Sequence, residues 1–171
     1  MSTSPSGTLR DPWGVPKGRE RALIILPVEV REILIGILLG DGHISRRSST
    51  SNSRFLYAQT AVEHKEYFNY VYSFFTPFCA KDYIPQSKLV RDNRTKKSYS
   101  SISLTTMQLP CFNEYKDLFY NLNVKIVPDN IHELLTPRGL AFWIMDDGSK
   151  QGSGLHISVY AFNTADVDKL M

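Results

Sequence analysis

Two short segments of the chain, at residues 34–42 and 140–148, are degenerate copies of one pattern. Each segment is an apolar run of helical character that ends in an aspartate followed by a glycine. An acidic residue placed twice at the tip of a buried helix indicates that both tips have a chemical role. Carboxylates gathered at one point bind hard divalent cations such as Mg²⁺, which prefer oxygen ligands. The repeat therefore predicts a paired-metal site holding Asp41 and Asp147 where two similar halves meet.

The composition limits the classes of protein to which the chain can belong. With 171 residues, 42% hydrophobic and 22% charged, it resembles a soluble globular protein with one ordinary core. No apolar run approaches the roughly 18 residues that a membrane span needs, so no membrane partner is predicted. Cys79 and Cys111 have no metal-ligand spacing and are too few for a disulfide scaffold. They are expected to be buried thiols in a reducing compartment.

The positive charge is concentrated in the middle of the chain. The net charge is +3, and residues 46–97 contain ten Lys or Arg against four acidic residues. Aromatic, Ser, Thr, Asn and Gln residues lie between these cations, a composition that a phosphate backbone attracts. An ordinary solvated basic face explains the charge equally well, so the charge alone does not decide between the two interpretations.

The periodicity of the apolar residues predicts an α+β fold. The expected elements are a helix from residue 27, strands at 43–47 and 54–62, a helix at 63–75, strands at 84–91 and 97–105, helical segments at 110–120 and 130–135, and a second motif helix from Thr136. The order is αββαββα, followed by the beginning of a second unit. After Asp147 there is room for one hairpin, with its best strand at 155–161, and for a helix beginning near Thr164.

This pattern divides the chain into three parts. Residues 1–21 are expected to be a flexible leader without a signal peptide or an Arg-rich targeting segment. Residues 22–135 form the first αββαββα unit, and residues 136–171 contain the second motif helix and the start of an incomplete, pseudo-symmetric second unit. The second copy is therefore expected to lack most of its sheet.

With these motifs and this element order, the chain resembles the LAGLIDADG homing endonucleases, of the double-motif kind encoded within organellar introns. The resemblance covers about residues 22–171, and its most specific parts are ILLGDGHI and AFWIMDDGSK. It implies that the two motif helices form the interface between the halves. It also implies that the last acid of each motif, Asp41 and Asp147, holds Mg²⁺ or Mn²⁺ beside the scissile phosphates of double-stranded DNA.

The resemblance suggests further residues for the metal centre. The family places a basic residue near the metals, ahead of a short Ile/Val-Pro element, and Lys125 matches that position, although it is also consistent with a plain surface lysine. The backbone carbonyl of Gly40 and the side chain of Asp146 are additional candidate ligands. Asp146 occupies a non-catalytic position of the motif, which favours a simple role as an acid at the helix end.

The glycines of the first motif predict a close helix contact. Glycine weakens a helix by about 1 kcal/mol, so Gly36 and Gly40, four residues apart, indicate a packing requirement such as the approach of a second backbone. Phe142 occupies the position of the second motif that Gly36 occupies in the first. The two helices are therefore expected to pack unequally at an interface formed by Gly36, Gly40 and Phe142.

Base reading is expected from outward-facing residues of a twisted antiparallel sheet in the major groove. The candidates are Ser45, Arg47, Arg54, Tyr57, Gln59, Lys88, Arg91, Lys97 and Ser101. Arg and Gln are the better base readers, whereas the lysines are expected to contact phosphates. His43 is expected to begin the DNA-facing strand in a polar role or to approach the phosphate.

Three hypotheses about function follow. The first is a site-specific, metal-dependent DNA endonuclease that promotes intron homing on a long target. The second is a non-cleaving factor that binds intron RNA in splicing. The third is a truncated relic that folds partly or needs a partner to complete its second half. Because the second half is short, the chain is expected to be weakly active or inactive alone, and a complementing half would restore the pseudo-symmetric form of the family. The resemblance implies a mitochondrial origin.

Overall fold

The computed structural model describes residues 18–171 and has the predicted α+β architecture. The helices are α1 Arg19–Ala22, α2 Val28–Leu39, α3 Lys65–Phe75, α4 Asn113–Phe119, α5 Ile131–Leu134, α6 Pro137–Asp147 and α7 Thr164–Asp168. The strands are β1 His43–Arg46, β2 Ser53–Thr60, β3 Gln86–Arg91, β4 Ser98–Thr105, β5 Tyr120–Asn121, β6 Val124–Lys125, β7 Gly148–Gln151 and β8 Gly154–Ile157. Two 3₁₀ turns lie at Thr76–Phe78 and Pro110–Phe112.

The first four strands form one antiparallel sheet in the order β1-β2-β4-β3. Successive side chains of a strand point to opposite faces, and residues paired across strands share a face. Ile44, Phe55, Tyr57 and Leu104 point to the face that the helices cover, and each is buried. We call this the inner face of the sheet and the opposite one the outer face. None of the outer-face residues of these four strands is buried.

The two motif helices, α2 and α6, pack against each other through their backbones. A Cβ atom added to Gly36 would lie only 2.0 Å from the carbonyl oxygen of Gly139, and one added to Gly139 would lie 2.9 Å from that of Glu32. Around this contact α2 is buried without a break from Ile33 to Leu39. The structure therefore places Gly36 at a contact that needs a glycine, and adds Gly139, which the sequence analysis did not select.

Phe142, one turn after Gly139 in α6, packs against α3. Its ring stacks on Tyr70 of α3, with centroids 5.8 Å apart, and meets the edge of Phe74 at 6.0 Å. The hydroxyl of Tyr67 donates a hydrogen bond to the Phe142 carbonyl at 3.4 Å. The aromatic side chain thus fills the space between α6 and α3, which explains how a bulky residue fits at the motif position that is glycine in the first copy.

The termini of α6 follow from local sequence. Thr136 caps the helix, its hydroxyl oxygen accepting a hydrogen bond from the Gly139 amide at 3.2 Å, and Pro137 occupies the first turn. This start agrees with the prediction. The helix ends at Asp147, where the backbone continues directly into the β7–β8 hairpin.

The structure differs from the predicted elements in several places. Residues 1–17 of the predicted leader lie outside the described residues, but Arg19–Ala22 form a helical turn, and Arg21 donates a hydrogen bond to the Gln108 carbonyl at 3.3 Å. The segment predicted as a strand at 155–161 is extended only over Gly154–Ile157. The β5–β6 hairpin was not foreseen, because two-residue strands carry no periodicity. Within residues 18–171, no helix has the length and apolar character required to cross a bilayer.

The contact between α2 and α6 makes a direct prediction about stability. Gly36→Ala gains about 1 kcal/mol of helix propensity, but its new methyl group meets the immovable Gly139 backbone, and overpacking of this kind costs about 1–3 kcal/mol or more. We expect a net loss of about 2 kcal/mol in the free energy of unfolding, measured with urea. Gly154→Ala is the control, because its Cβ would lie at an ordinary 3.5 Å from Gln151. Equal stability of the two variants would contradict the proposed contact.

Candidate metal centre and nucleic-acid interface

The C-terminal ends of α2 and α6 meet at one point. The backbone amide of Asp41, just after α2, donates a hydrogen bond to Oδ2 of Asp146 at 3.1 Å. A Cβ atom on Gly40 would lie 2.6 Å from the same oxygen, so the chain passes Asp146 with no room for a side chain. The acidic ends of both motifs are therefore brought together, as the repeat predicted.

Asp41 and Asp147 form an electrostatic pair. Burial, followed by the negative charge of Asp41, raises the pKa of the half-buried Asp147 carboxyl to about 6, and the charge of Lys125 opposes the shift. The Trp143 indole N–H lies near this carboxylate and stabilises its charge, although the two do not form a hydrogen bond of ordinary geometry. Two carboxylates that disfavour each other's charge fit a divalent cation, whose binding would remove the repulsion.

The remaining donors around the pair are consistent with such an ion. Oδ2 of Asp41 accepts a hydrogen bond from Gln59 Nε2 at 2.8 Å, and Asp41 is exposed to solvent. In residues 18–171 no group of three or more His, Cys, Asp or Glu side chains is arranged to hold an ion by itself. Mg²⁺ is commonly bound by one or two carboxylates, with waters and phosphate oxygens completing its shell. The two-carboxylate set therefore fits Mg²⁺ at a nucleic acid better than a closed structural site.

Asp146 is held by the protein through both of its oxygens. Oδ1 accepts a hydrogen bond from the Tyr57 hydroxyl at 2.6 Å, and Oδ2 accepts the one from the Asp41 amide. Burial raises the pKa of this carboxyl to about 7, and these hydrogen bonds oppose the shift. The contacts favour a role at the helix end over a role as a metal ligand, the two alternatives that the sequence left open.

Lys125 binds the turn that follows α2. Its Nζ donates hydrogen bonds to the carbonyl oxygens of Gly40, at 2.9 Å, and Gly42, at 2.7 Å. Burial lowers the pKa of this ammonium group to about 8, and the charges of Asp41, Asp147 and Asp146 oppose the shift. The carbonyl of Gly40 keeps a second lone pair, so its candidacy as a metal ligand is compatible with the bond to Lys125.

The position of Lys125 depends on the unforeseen β5–β6 hairpin. Leu122 and Asn123 form its two-residue turn with φ values of 47° and 65°, the left-handed conformations that such hairpin turns require. After the hairpin, the Ile126 amide donates to the Phe119 carbonyl at 2.7 Å and Val127 is fully buried. The lysine is thus supported on both sides by a fixed backbone and is not a plain surface residue.

The predictions for Tyr57 and Gln59 as outward-facing base readers were wrong. Tyr57 is 1% exposed and lies on the inner face of the sheet, because it alternates in phase with the core residue Phe55. Gln59 shares that face, and its Nε2 donates to the Tyr57 hydroxyl at 3.0 Å as well as to Asp41. Tyr57 and Gln59 lie two and four residues after Phe55 in the same strand, so the apolar character of Phe55 could have assigned both to the inner face.

His43 lies at the start of β1 beside the acids. Its Nδ1 is 2.9 Å from the Tyr120 hydroxyl, whose oxygen also accepts a hydrogen bond from the Ile44 amide at 3.1 Å. Burial, followed by the charges of Lys116 and Lys125, lowers the pKa of this imidazole. Lys116, whose Nζ lies 4.0 Å from the centroid of the Tyr120 ring, was not selected from the sequence.

The outer face carries most of the predicted DNA contacts. Ser45 pairs with Arg54 across β1 and β2, and Lys88 pairs with Ser101 across β3 and β4. All four lie on the outer face, and Arg47 and Lys97 continue the same alternation just beyond the strand ends. The result is a polar, cationic surface that begins beside Asp41 and extends across the sheet.

Arg91 was wrongly included in this set. Its partner in the ladder is Ser98, so it lies on the inner face, in phase with Ile102 and Leu89. It is nevertheless exposed, as is every residue of the edge strand β3. The sequence of this strand contains polar and apolar residues in both alternating sets, so its face could not be assigned.

The raised pKa of Asp146 predicts how stability depends on pH. The folded chain holds this proton up to about pH 7, whereas the unfolded chain releases it near 3.8, so the folded state loses stability as the pH rises between these values. Without divalent cations, Asp146→Asn should gain stability relative to the unchanged chain over that window. Urea unfolding at several pH values measures this, and the exposed Asp168→Asn is the control. Parallel pH profiles for Asp146→Asn and the unchanged chain would contradict the assignment.

Comparison with known proteins connects this geometry to a family. The sequence profile of the LAGLIDADG DNA endonuclease family matches residues 31–171. The cytochrome b mRNA maturase bI2 of Debaryomyces hansenii is 31% identical over 150 residues, which are 85% of this chain and 55% of that protein. The DNA endonuclease I-ChuI of Chlamydomonas applanata is 30% identical over 130 residues, 72% of this chain and 59% of that protein. The chain thus spans between half and two thirds of the length of these relatives.

The fold has a solved counterpart as well. The homing endonuclease I-WcaI, in a structure bound to its DNA recognition sequence, superposes with a TM-score of 0.78 at 20% identity. The superposition covers 89% of this chain and 69% of that one. The matched residues 31–171 include both motif helices, the sheet between them and the acids at their ends. The chain is a member of the LAGLIDADG DNA endonuclease family.

Proposed function

We propose that the chain is a site-specific, divalent-metal-dependent DNA endonuclease that hydrolyses phosphodiester bonds and promotes intron homing. The observation that carries the proposal is the meeting of Asp41 and Asp147 at the ends of two packed helices, next to the outer face of the sheet. Neighbouring carboxylates suit a divalent cation, and a cationic sheet suits a DNA backbone. Membership of the family and the endonuclease names of several relatives support it.

The chemistry assigns a role to each residue of the centre. Mg²⁺ or Mn²⁺, when bound, would activate a water and neutralise charge on the phosphate. Asp41 and Asp147 would hold the ion, and Gln59 would keep the Asp41 carboxylate in one orientation through its 2.8 Å hydrogen bond. Lys125, a half-buried cation at the turn after α2, would stabilise the negative charge that develops at the phosphate.

Double-stranded DNA is the proposed partner of the outer face. The solved neighbour is titled as bound to its DNA recognition sequence, which supports a similar partner for this fold. Arg54 can reach base edges, whereas Lys88 is better suited to phosphates. The arrangement would allow the sheet to lie along the major groove of the DNA while the C-terminal ends of α2 and α6 contact the sugar-phosphate backbone.

Splicing of intron RNA is a second candidate function. It is supported by the relatives named as cytochrome b mRNA maturases in two yeasts, Debaryomyces hansenii and Saccharomyces cerevisiae. These names, with those of the intron-encoded endonucleases, also support the proposal that the chain is encoded by an intron in mitochondria. Binding without cleavage would leave Asp41 and Asp147 without a chemical role, so the endonuclease is preferred.

The endonuclease proposal predicts the effect of neutralising one metal ligand. Residues that support metal ligands typically contribute about 10–100-fold, so Asp41→Asn, which removes a ligand charge, should reduce cleavage by more than about 100-fold. DNA affinity should remain, since Asp41 contributes no positive charge. The measurements are nicking and double-strand cleavage of intron-less host-gene DNA in Mg²⁺, and DNA affinity in Ca²⁺. Asp168→Asn is the control, and cleavage by Asp41→Asn at the rate of the unchanged chain would contradict the proposal.

The faces of β3 predict a matched pair of DNA-binding variants. Lys88 lies on the outer face and Arg91 on the inner face of the same strand, and both are exposed cations. Lys88→Ala should weaken DNA binding several-fold and lower the salt-dependence slope of log K by about one, the value for a lost phosphate contact. Arg91→Ala should leave that slope unchanged. Titrations at several salt concentrations measure both, and equal losses would contradict the outer face as the DNA surface.

A further inference from the structure

The proposed mechanism leaves one half-buried carboxylate of the centre without a role. Asp146 takes no part in holding the ion in that scheme, yet it accepts one hydrogen bond from β2 and one from the turn after α2. Tyr57 is 1% exposed and cannot touch DNA, although its hydroxyl is aimed at this acid. A buried charge of this kind is costly unless it is fully bonded, so its place next to two metal-ligand candidates needs a reason.

We propose that Tyr57 and Asp146 are positioning residues that fix the backbone of Asp41 and thereby set the separation of the two acids that hold the metal. This inference rests on the proposed endonuclease function. Neither residue contacts the substrate in the scheme. Both act through Asp41. Asp146 accepts a hydrogen bond from the Asp41 amide directly, and Tyr57 is connected to Asp41 through its own hydrogen bond to Asp146.

Asp146 connects the two motifs mechanically. It belongs to α6, one residue before Asp147, and accepts the amide proton of Asp41, at the end of α2. The two acids that would share an ion are therefore tied through a 3.1 Å hydrogen bond that spans the interface between the helices. Any shift of one helix along the other would stretch this bond.

Tyr57 ties the same point to the sheet. Its hydroxyl donates to Asp146 at 2.6 Å and accepts from Gln59 Nε2 at 3.0 Å, and that nitrogen also donates to Asp41 at 2.8 Å. The ring cannot move aside, because it is stacked on Phe68 at 5.9 Å between centroids. Asp41 is thus held at its amide and at its carboxylate by one network that begins in the core of the sheet.

The packing around Gly40 supports the same interpretation. The space that a side chain would fill at this position contains the Asp146 carboxylate, with Oδ2 at 2.6 Å and Cβ at 2.8 Å from the ideal Cβ position. The network is therefore enclosed by backbone on one side and by a packed aromatic ring on the other. Since misplacement of a reacting group by about 1 Å can cost about 100-fold in rate, a network this close to the acids should affect catalysis and not only folding.

Removal of one hydroxyl tests the inference. Tyr57→Phe should lower the single-turnover cleavage rate at saturating DNA by about 10–100-fold, the range for groups that support metal ligands, and raise the Mg²⁺ concentration for half-maximal cleavage. DNA affinity in Ca²⁺ should stay within about twofold, because Tyr57 does not reach the outer face. Tyr115→Phe is the matched control, since it removes a hydroxyl from another buried tyrosine, on α4 beside the opposite end of α2.

A metal-binding measurement separates this inference from the endonuclease proposal. Tb³⁺ luminescence excited through Trp143, which lies near Asp147, reports binding without cleavage. We expect weaker Tb³⁺ binding in Tyr57→Phe and Asp146→Asn than in the unchanged chain and Tyr115→Phe. The combined loss in the double variant should be smaller than the sum of the losses in the two single variants, since the two residues share one hydrogen bond.

The outcomes are distinct. If the unchanged chain neither cleaves DNA nor binds Tb³⁺, the endonuclease proposal fails, and the inference fails with it. If the unchanged chain cleaves or binds Tb³⁺ and Tyr57→Phe matches Tyr115→Phe in every assay performed, the positioning role is overturned while the endonuclease stands. If Tyr57→Phe loses DNA affinity and thermal stability in proportion to its loss of cleavage, the role is purely structural and the inference is overturned as well.

Discussion

The backbone contact between Gly36 and Gly139 is the constraint on which the rest of the structure depends. A methyl group at Gly36 would lie 2.0 Å from a carbonyl oxygen of α6, so the backbones of α2 and α6 are in contact here with no room for a side chain. That distance brings the ends of both helices to one point and makes the bond from the Asp41 amide to Asp146 possible. A wider separation would leave two unrelated acids, each at the end of its own helix, and no shared centre.

Close packing at the helix ends creates an electrostatic problem that the surrounding elements resolve. Three carboxylates converge there, and burial raises the pKa of two of them, Asp146 and Asp147. Lys125 supplies a compensating charge from the β5–β6 hairpin, and Tyr57 supplies a hydrogen bond from the sheet. Because each partner comes from a different element, the centre forms only when the sheet, the hairpin and both helices are folded.

The sequence predicted what depends on repetition and periodicity, and failed where the outcome depends on tertiary contacts. The paired motifs selected Asp41 and Asp147 as candidate metal ligands, and the apolar patterns predicted the helices and the order of helices and strands along the chain. Tyr57 and Gln59 were wrongly predicted to face outward because a polar atom at the end of a long side chain suggests contact with solvent. In the structure the ring of Tyr57 belongs to the core. Gln59 lies on the same face and donates a hydrogen bond to the Tyr57 hydroxyl. The bond between Asp146 and Tyr57 joins residues that are 89 positions apart, a relation that no local pattern contains.

The two motifs are most informative where they differ. At the position before the last acid, the first copy has Gly40 and the second has Asp146. In an exact two-fold repeat, either two side chains would compete for this volume or two glycines would leave it empty. The structure shows one residue of each kind, and the carboxylate of Asp146 occupies the space that the missing Cβ of Gly40 leaves. The asymmetry is therefore complementary, and it follows that exchanging these two residues between the motifs would demand a new partner for the acid in place of Tyr57.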